Sequence, residues 1–210
     1  MIKLIDLSHD IEHHMPVHPY DDPVNLYQDK FLNVDGYNNF KLEMGMHSGT
    51  HIDIPMHLTK SEKFINEISL DSFTGRGCLL DVRGEQVIKY KEKYSNIVNE
   101  NDIVLLFTNH SDQYGTNEYF TNHPVIDEEL ANFFIEKKIK ILGMDLPSPD
   151  EHPFRIHKML LNHNILIIEN ITNLSKLVAV NHFEVMAFPL KIKAEASMTR
   201  VVARVYINPK

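Results

Sequence analysis

HSGTHIDIPMH, residues 47–57, sets three histidines and one aspartate at positions 47, 51, 53 and 57. Gly49 and Pro55 interrupt the run and argue against a helix. The four positions share one parity, so on a strand their side chains leave from the same face. A straight strand would separate positions 47 and 51 by roughly 13 Å, whereas each ligand of one ion sits about 2.1 Å from it. Two ligands of one ion therefore require the chain to turn between them, and Gly49 permits the turn. Imidazole nitrogen and carboxylate oxygen suit zinc or manganese. The rival reading is an edge strand showing its histidines to solvent; four such residues at this spacing favour the metal.

The rest of the composition narrows the class. With 210 residues and 43% hydrophobic content, the chain supports one domain, residues 1–210, with a real core. A formal charge of −8 disfavours nucleic acid, whose binding depends on neutralising phosphates. The single cysteine, Cys78, excludes an intrachain disulfide framework and opens an apolar run as a core residue would. No apolar stretch precedes Asp6 as a signal peptide would, and none approaches the about 18 residues of a membrane span. The expectation is a cytoplasmic protein acting on a small molecule, without nucleic acid or membrane as partner.

Strand-like segments recur at residues 1–7, 38–46, 75–82, 102–107, 140–144, 164–169, 183–192 and 199–207. Residues 12–22 carry Pro16 and Pro19 among histidines and acids and read as an ordered arm. The best helix runs from Asp127 to Lys138, with acids in its first turn and lysines closing it. A short helix is expected over residues 157–162. No GxGxxG, Walker loop or GxSxG elbow occurs, so nucleotide binding and serine hydrolysis have no local support.

His47, His51 and Asp53 are the natural ligand trio. His57, beyond Pro55, is either a further ligand or a free base near neutral pH. A second cluster with ligand character is His157 plus Glu169, whose carboxylate ends the apolar run ILII and needs a partner there. Of the remaining histidines, His18 and His110 are the candidates for the substrate pocket.

Taken in order, these blocks resemble the metal-dependent cyclase-like hydrolases, the family of bacterial kynurenine formamidase and isatin hydrolase-like enzymes. The resemblance is carried by DLSHDI (6–11), MPVHP (15–19), HSGTHIDIPMH (47–57), YFTNHPVI (119–126), GMDLPSPD (143–150), HKMLLNHNILIIEN (157–170) and FPLKI (188–192). It spans almost the whole chain, and the histidine segment is its most specific block. It implies an α/β protein of β/β/α swivelling-type fold, strand-rich with few helices. It also implies one or two divalent ions, zinc or manganese: His47, His51 and Asp53 on the first, Asp53 bridging to a second completed by His157 and Glu169, and His57 as unliganded acid/base. Homodimers or higher homo-oligomers are implied as well. Three stretches depart from the pattern: the arm HHMPVHPYDD, the loop NHSDQYG, and KAEASMTR where an Asp-Gly-Ser-Pro-like turn is expected. Such loops would shape the pocket.

The expected function is an arylformamidase-like amidohydrolase, cleaving the C–N bond of a small aryl formamide with a metal-activated water. The alternatives are hydrolysis of an isatin-like cyclic amide or of a lactone or ester by the same site, and a non-catalytic metal-binding family member.

Overall fold

A computed structural model describes residues 1–206. In chain order its strands are β1 (Ile2–Asp6), β2 (Asn25–Lys30), β3 (Asn39–Glu43), β4 (His51–Asp53), β5 (Thr74–Asp81), β6 (Val87–Ile88), β7 (Ile103–Phe107), β8 (Val125–Ile126), β9 (Ile141–Met144), β10 (Leu166–Glu169), β11 (Phe183–Met186), β12 (Ala196–Met198) and β13 (Val202–Tyr206). The helices are α1 (Leu32–Asp35), α2 (Asn117–Thr121), α3 (Glu128–Lys137) and α4 (Arg155–Asn162). Among the described residues no helix is long and apolar enough to cross a membrane.

Nine strands form one sheet in the order β1-β13-β11-β5-β7-β9-β10-β4-β12. The central strands β5, β7, β9 and β10 run parallel, and antiparallel wings extend from both ends. Parallel strands covered on both faces read as continuous apolar runs, and every residue of IVLLF in β7 is buried. Val104 and Leu106 pack under α3 and α4, with Leu130, Phe134 and Leu160. Ile103, Leu105 and Phe107 pack on the other face with Ile52, Val185 and Val201. These last residues come from opposite wings, so the sheet curls until both ends share one core.

The α3 helix forms where its charge pattern places it. Asp127 accepts a hydrogen bond from the Leu130 N–H at 2.9 Å, and Lys138 ends the helix in the left-handed region at φ 51°. α4 begins two residues ahead of expectation because Asp150 accepts from the N–H groups of Ile156 and His157, at 2.6 and 3.2 Å. Its buried pairs Ile156/His157 and Leu160/Leu161 are one helical turn apart.

Several expected strands are shorter than their sequence patterns; the 38–46 segment forms a strand only over Asn39–Glu43. The 183–192 segment pairs only to Met186; Pro189, which has no N–H to give a ladder, joins through an isolated bridge to Thr199. The 199–207 segment enters the sheet at Val202, because Val201 N–H donates to the Ser8 hydroxyl instead of a neighbouring strand; Ile207 lies outside the described residues. β2 and α1 are not anticipated at all. β2 and β3 form a separate hairpin with each other, and α1 at its tip has no buried residue.

Candidate metal centre

The ligand segment folds as its spacing requires. Residues 47–50 form a turn with Gly49 at φ 64°, and a Cβ there would stand 2.8 Å from the Met15 Cε atom. The chain then runs as β4 and breaks into a single 3-10 turn over Pro55–His57. In β4, Ile52 points into the core shared by the wings. His51 and Asp53 therefore face α4. Antiparallel pairing sets Glu169 directly opposite His51, and α4 lowers His157 onto the same face.

The side chains converge on Asp53, which is wholly buried. Its Oδ1 atom lies 3.0 Å from His47 Nδ1 and 3.5 Å from His51 Nε2, while Oδ2 lies 3.2 Å from His157 Nε2. Glu169 approaches His51 Nε2 at 3.3 Å and His157 Nδ1 at 3.8 Å. Two sets of ligand atoms lie within 4.8 Å of one another: His47, Asp53 and His57, and His51, Asp53 and Glu169. Asp53 belongs to both, so the two clusters of the sequence meet at one carboxylate.

The donors fit a divalent ion. His51 Nε2, Asp53 Oδ1, His157 Nδ1 and Glu169 Oε1 are buried without a well-aligned hydrogen-bond partner. Four converging orphans are costly unless something neutralises them, and the nitrogen and oxygen set suits a borderline metal. His51 is already oriented: its Nδ1–H donates to the Gly49 carbonyl at 2.8 Å, which turns Nε2 inward. The same carbonyl accepts from the Asn170 side chain at 3.0 Å, and Asn170 in turn accepts from the Tyr119 hydroxyl at 2.8 Å. A buried network thus backs the ligand.

The electrostatics separate the histidines. Burial opposes charging of His47, but the Asp53 carboxylate overrides it and raises the ring to about 9. His51 and His157 are raised in the same direction against their burial, and Asp53, despite its own burial, is held well below the usual carboxylate range by His51 and His47. His57 goes the other way. Burial, aided by the neighbouring histidines, lowers it to about 4 against the pull of Asp53. Its ring lies against that of His47, tilted by 37° at a centroid distance of 4.1 Å, and makes no hydrogen bond among the described residues.

The centre forms the floor of a cavity of about 790 Å³. Pro16, Val17, Leu58, Tyr114, Phe120 and Phe154 supply apolar wall, and His18 also lines the cavity. His110 does not: it is buried behind the wall, where its Nε2–H donates to the Tyr119 carbonyl at 3.0 Å and its ring stacks on Tyr119. Pocket residues not singled out in the sequence include Tyr114, Phe120, His123, Asp150, Phe154 and Asn170. Asp150 had a local signal, an acid ahead of a helix; the others had none. No lysine or arginine lines the cavity among the described residues.

His9 supports this wall from behind. Its ring stacks on Tyr114 at 3.8 Å, its Nε2 is buried without a partner, and burial lowers it to about 4. The unfolded chain protonates this ring near its ordinary 6.5, whereas the folded chain does so only near 4. The unfolded state therefore binds the extra proton between those values, and stability falls as pH drops through that window. After screening, the expected loss is about 1–2 kcal/mol. His9→Phe, which keeps the stack without titrating, should flatten the pH 6.5-to-4 slope in denaturant titrations by that amount; an unchanged slope would refute it.

Comparison with known proteins agrees with this geometry. The family model described as "Putative cyclase" matches residues 5–151. A kynurenine formamidase of Bacillus cereus is 30% identical over 206 residues, covering 95% of this chain and 96% of that one. Its counterpart in Bacillus anthracis is 30% identical over 207 residues, covering 96% and 97%. Among solved structures, isatin hydrolase A from Labrenzia aggregata superposes with a TM-score of 0.86 at 23% identity, covering 97% of this chain and 94% of that one. An isatin hydrolase bound to the product analogue thioisatinate superposes with a TM-score of 0.87 at 19% identity, covering 97% and 92%.

Proposed function

Since the chain belongs to the cyclase-like hydrolase family, we propose that it is a metal-dependent hydrolase that opens the C–N bond of a small, uncharged cyclic amide of the isatin type. The observation that carries the reading is the buried carboxylate Asp53, shared by two ligand clusters under an aromatic cavity that no lysine or arginine lines among the described residues. The formamidase relatives favour an aryl formamide as the second reading. N-formylkynurenine, however, carries an amino-acid carboxylate, and a desolvated carboxylate needs a cationic or multiple hydrogen-bonding partner. Lysine and arginine are missing from the lining among the described residues, and Asp21, Asp150 and Glu151, which would suit the ammonium of that substrate, would repel its carboxylate. A flat, neutral lactam meets no such penalty between Tyr114, Phe120 and Phe154.

His47, His51 and Asp53 would hold one zinc or manganese ion, and Asp53, His157 and Glu169 a second. Such an ion, when bound, supplies Lewis acidity that polarises a carbonyl and lowers the pKa of water. The chain's own contribution is the proton. With its ring pushed to about 4, His57 presents a free nitrogen at neutral pH, half-buried at the cavity floor. It can take a proton from the attacking water and return it to the departing amide nitrogen. The aromatic wall orients the ring of the substrate and excludes bulk water. Purified protein loaded with zinc or manganese should open isatin with a higher kcat/KM than N-formylkynurenine, formanilide or phenyl acetate. A tenfold preference for N-formylkynurenine would overturn the substrate class in favour of the formamide reading.

We also propose a homodimer. Part of the Pro-rich arm is held by its own chain: Met15 is buried against Gly49, and the Tyr114 hydroxyl donates to the Pro16 carbonyl at 3.2 Å. The β2–β3 hairpin is the exposed apolar surface instead, with Phe31, Leu32, Val34, Tyr37 and Phe40 each more than half exposed (52–85%). Clustered exposure of that kind marks an interface. Sedimentation at micromolar concentration should give about twice the 24.4 kDa chain mass, and the double variant Val34→Glu/Phe40→Glu should return it to monomer. A wild-type mass near 24.4 kDa would refute it.

A further inference from the structure

We propose that Glu195 is a positioning residue for the first metal ligand: its carboxylate holds the outer nitrogen of His47, so that the ring offers Nδ1, and not Nε2, to the centre. The inference rests on the metal reading above. Its starting point is KAEASMTR, the stretch that departs from the family pattern and to which the proposed chemistry assigns no part.

The two ring nitrogens of His47 face different carboxylates. Nδ1 lies 3.0 Å from Asp53 Oδ1, inside the cluster of orphaned atoms, and Nε2 lies 3.2 Å from Glu195 Oε1, on the solvent side. A carboxylate can only accept, so Nε2 donates to Glu195; with an ion at the centre Nδ1 would give up its own proton while Nε2 keeps this one. Ligating histidines are normally held through the nitrogen that does not bind, and a carboxylate there also makes the ligand more basic. His51 has a carbonyl in this role. Glu195 is its counterpart for His47.

The contact is built by the backbone. Ile54 N–H donates to the Glu195 carbonyl at 3.3 Å, Ile65 N–H donates to the Ala194 carbonyl at 2.9 Å, and Ala196 pairs directly with Asp53 in the β12–β4 ladder. Glu195 is thus tied one register step from the ligand strand. Its side chain is 37% exposed, so the carboxylate stays solvated while it reaches the ring.

His47 needs such a hold. It sits in a turn ahead of β4, its side chain is 28% exposed, and its other ring contacts are the tilted ring of His57 and an edge contact with His51 at 5.1 Å. Neither fixes the ring about its own axis, and a ring flip would put Cδ2 and Cε1 where Nδ1 and Nε2 now stand.

Zinc alone, titrated against a chromophoric chelator, gives the affinity, and nitrogen-15 NMR of the zinc-loaded protein reports which nitrogen of His47 keeps its proton. Glu195→Ala should weaken zinc binding about 10- to 100-fold and mix the two ring orientations. Glu195→Gln, whose amide oxygen still accepts from Nε2–H, should preserve the single orientation and recover part of the affinity. A purely structural role for the loop would not move the ring signature. Wild-type protein that takes up no zinc overturns the metal reading and this inference with it. Wild type that binds zinc while Glu195→Ala stays within twofold, with an unchanged ring signature, overturns the inference alone.

Discussion

Asp53→Ala should leave the protein without bound metal and with no activity above background. The carboxylate has no accessible surface and stands within 3.0–3.5 Å of nitrogens from His47, His51 and His157. Deleting it takes a ligand from both clusters at once and leaves three histidines around a hole without a counter-charge. Bound metal stabilises the fold by linkage, about 4 kcal/mol when free ion exceeds the dissociation constant a thousandfold, so the variant should also lose the metal-dependent rise in Tm. Asp53→Asn, which keeps the volume and removes the charge, separates this effect from cavity collapse. Metal analysis and melting curves with and without zinc check both. Wild-type metal content in Asp53→Ala would end the shared-ligand reading. Glu169→Ala counts the ions: its stoichiometry should fall by one relative to wild type for two ions and stay unchanged for one.

His57→Ala should behave differently, keeping metal near the wild-type level while losing about 10²–10⁴-fold in rate, the usual contribution of a positioned acid/base. The pH profile carries the same distinction. His57 works as a base only when neutral, and burial lowers its ring to about 4. A cation held at Asp53 pushes it the same way. Its limb in kcat/KM should therefore be flat from neutrality down to about pH 5 and fall below that as the ring takes its proton. The limb should be absent from His57→Ala. His57 also lies within ligand range of His47 and Asp53, which makes the comparison decisive: metal loss equal to that of Asp53→Ala would turn His57 into a ligand.

The histidine segment was legible because its chemistry is local. Parity places His51 and Asp53 on one face, Gly49 supplies the turn that brings His47 back, and Pro55 starts a new turn that carries His57 away from the strand. The α3 caps and the all-apolar β7 were legible for the same reason. β2 and α1 were not. NLYQDK in β2 has no buried residue to impose a period, and α1 buries nothing, so neither carries the signal by which a sequence announces a packed element. His110 was misplaced for a related reason: a histidine in a polar loop looks alike whether it faces a cavity or stacks behind its wall.

The sequence by itself determined which side chains have ligand character, which face of β4 they share, and that Glu169 ends an apolar strand. Only the tertiary structure decided which of them meet. His51 stands opposite Glu169 because β4 pairs antiparallel with β10, and His47 reaches Glu195 across 148 residues because β12 closes the edge beside β4. Periodicity specifies the face of a strand, since that depends on its own alternation. It does not specify the neighbour, because strand order is set by how both faces of the whole sheet are buried, a property that no single segment carries.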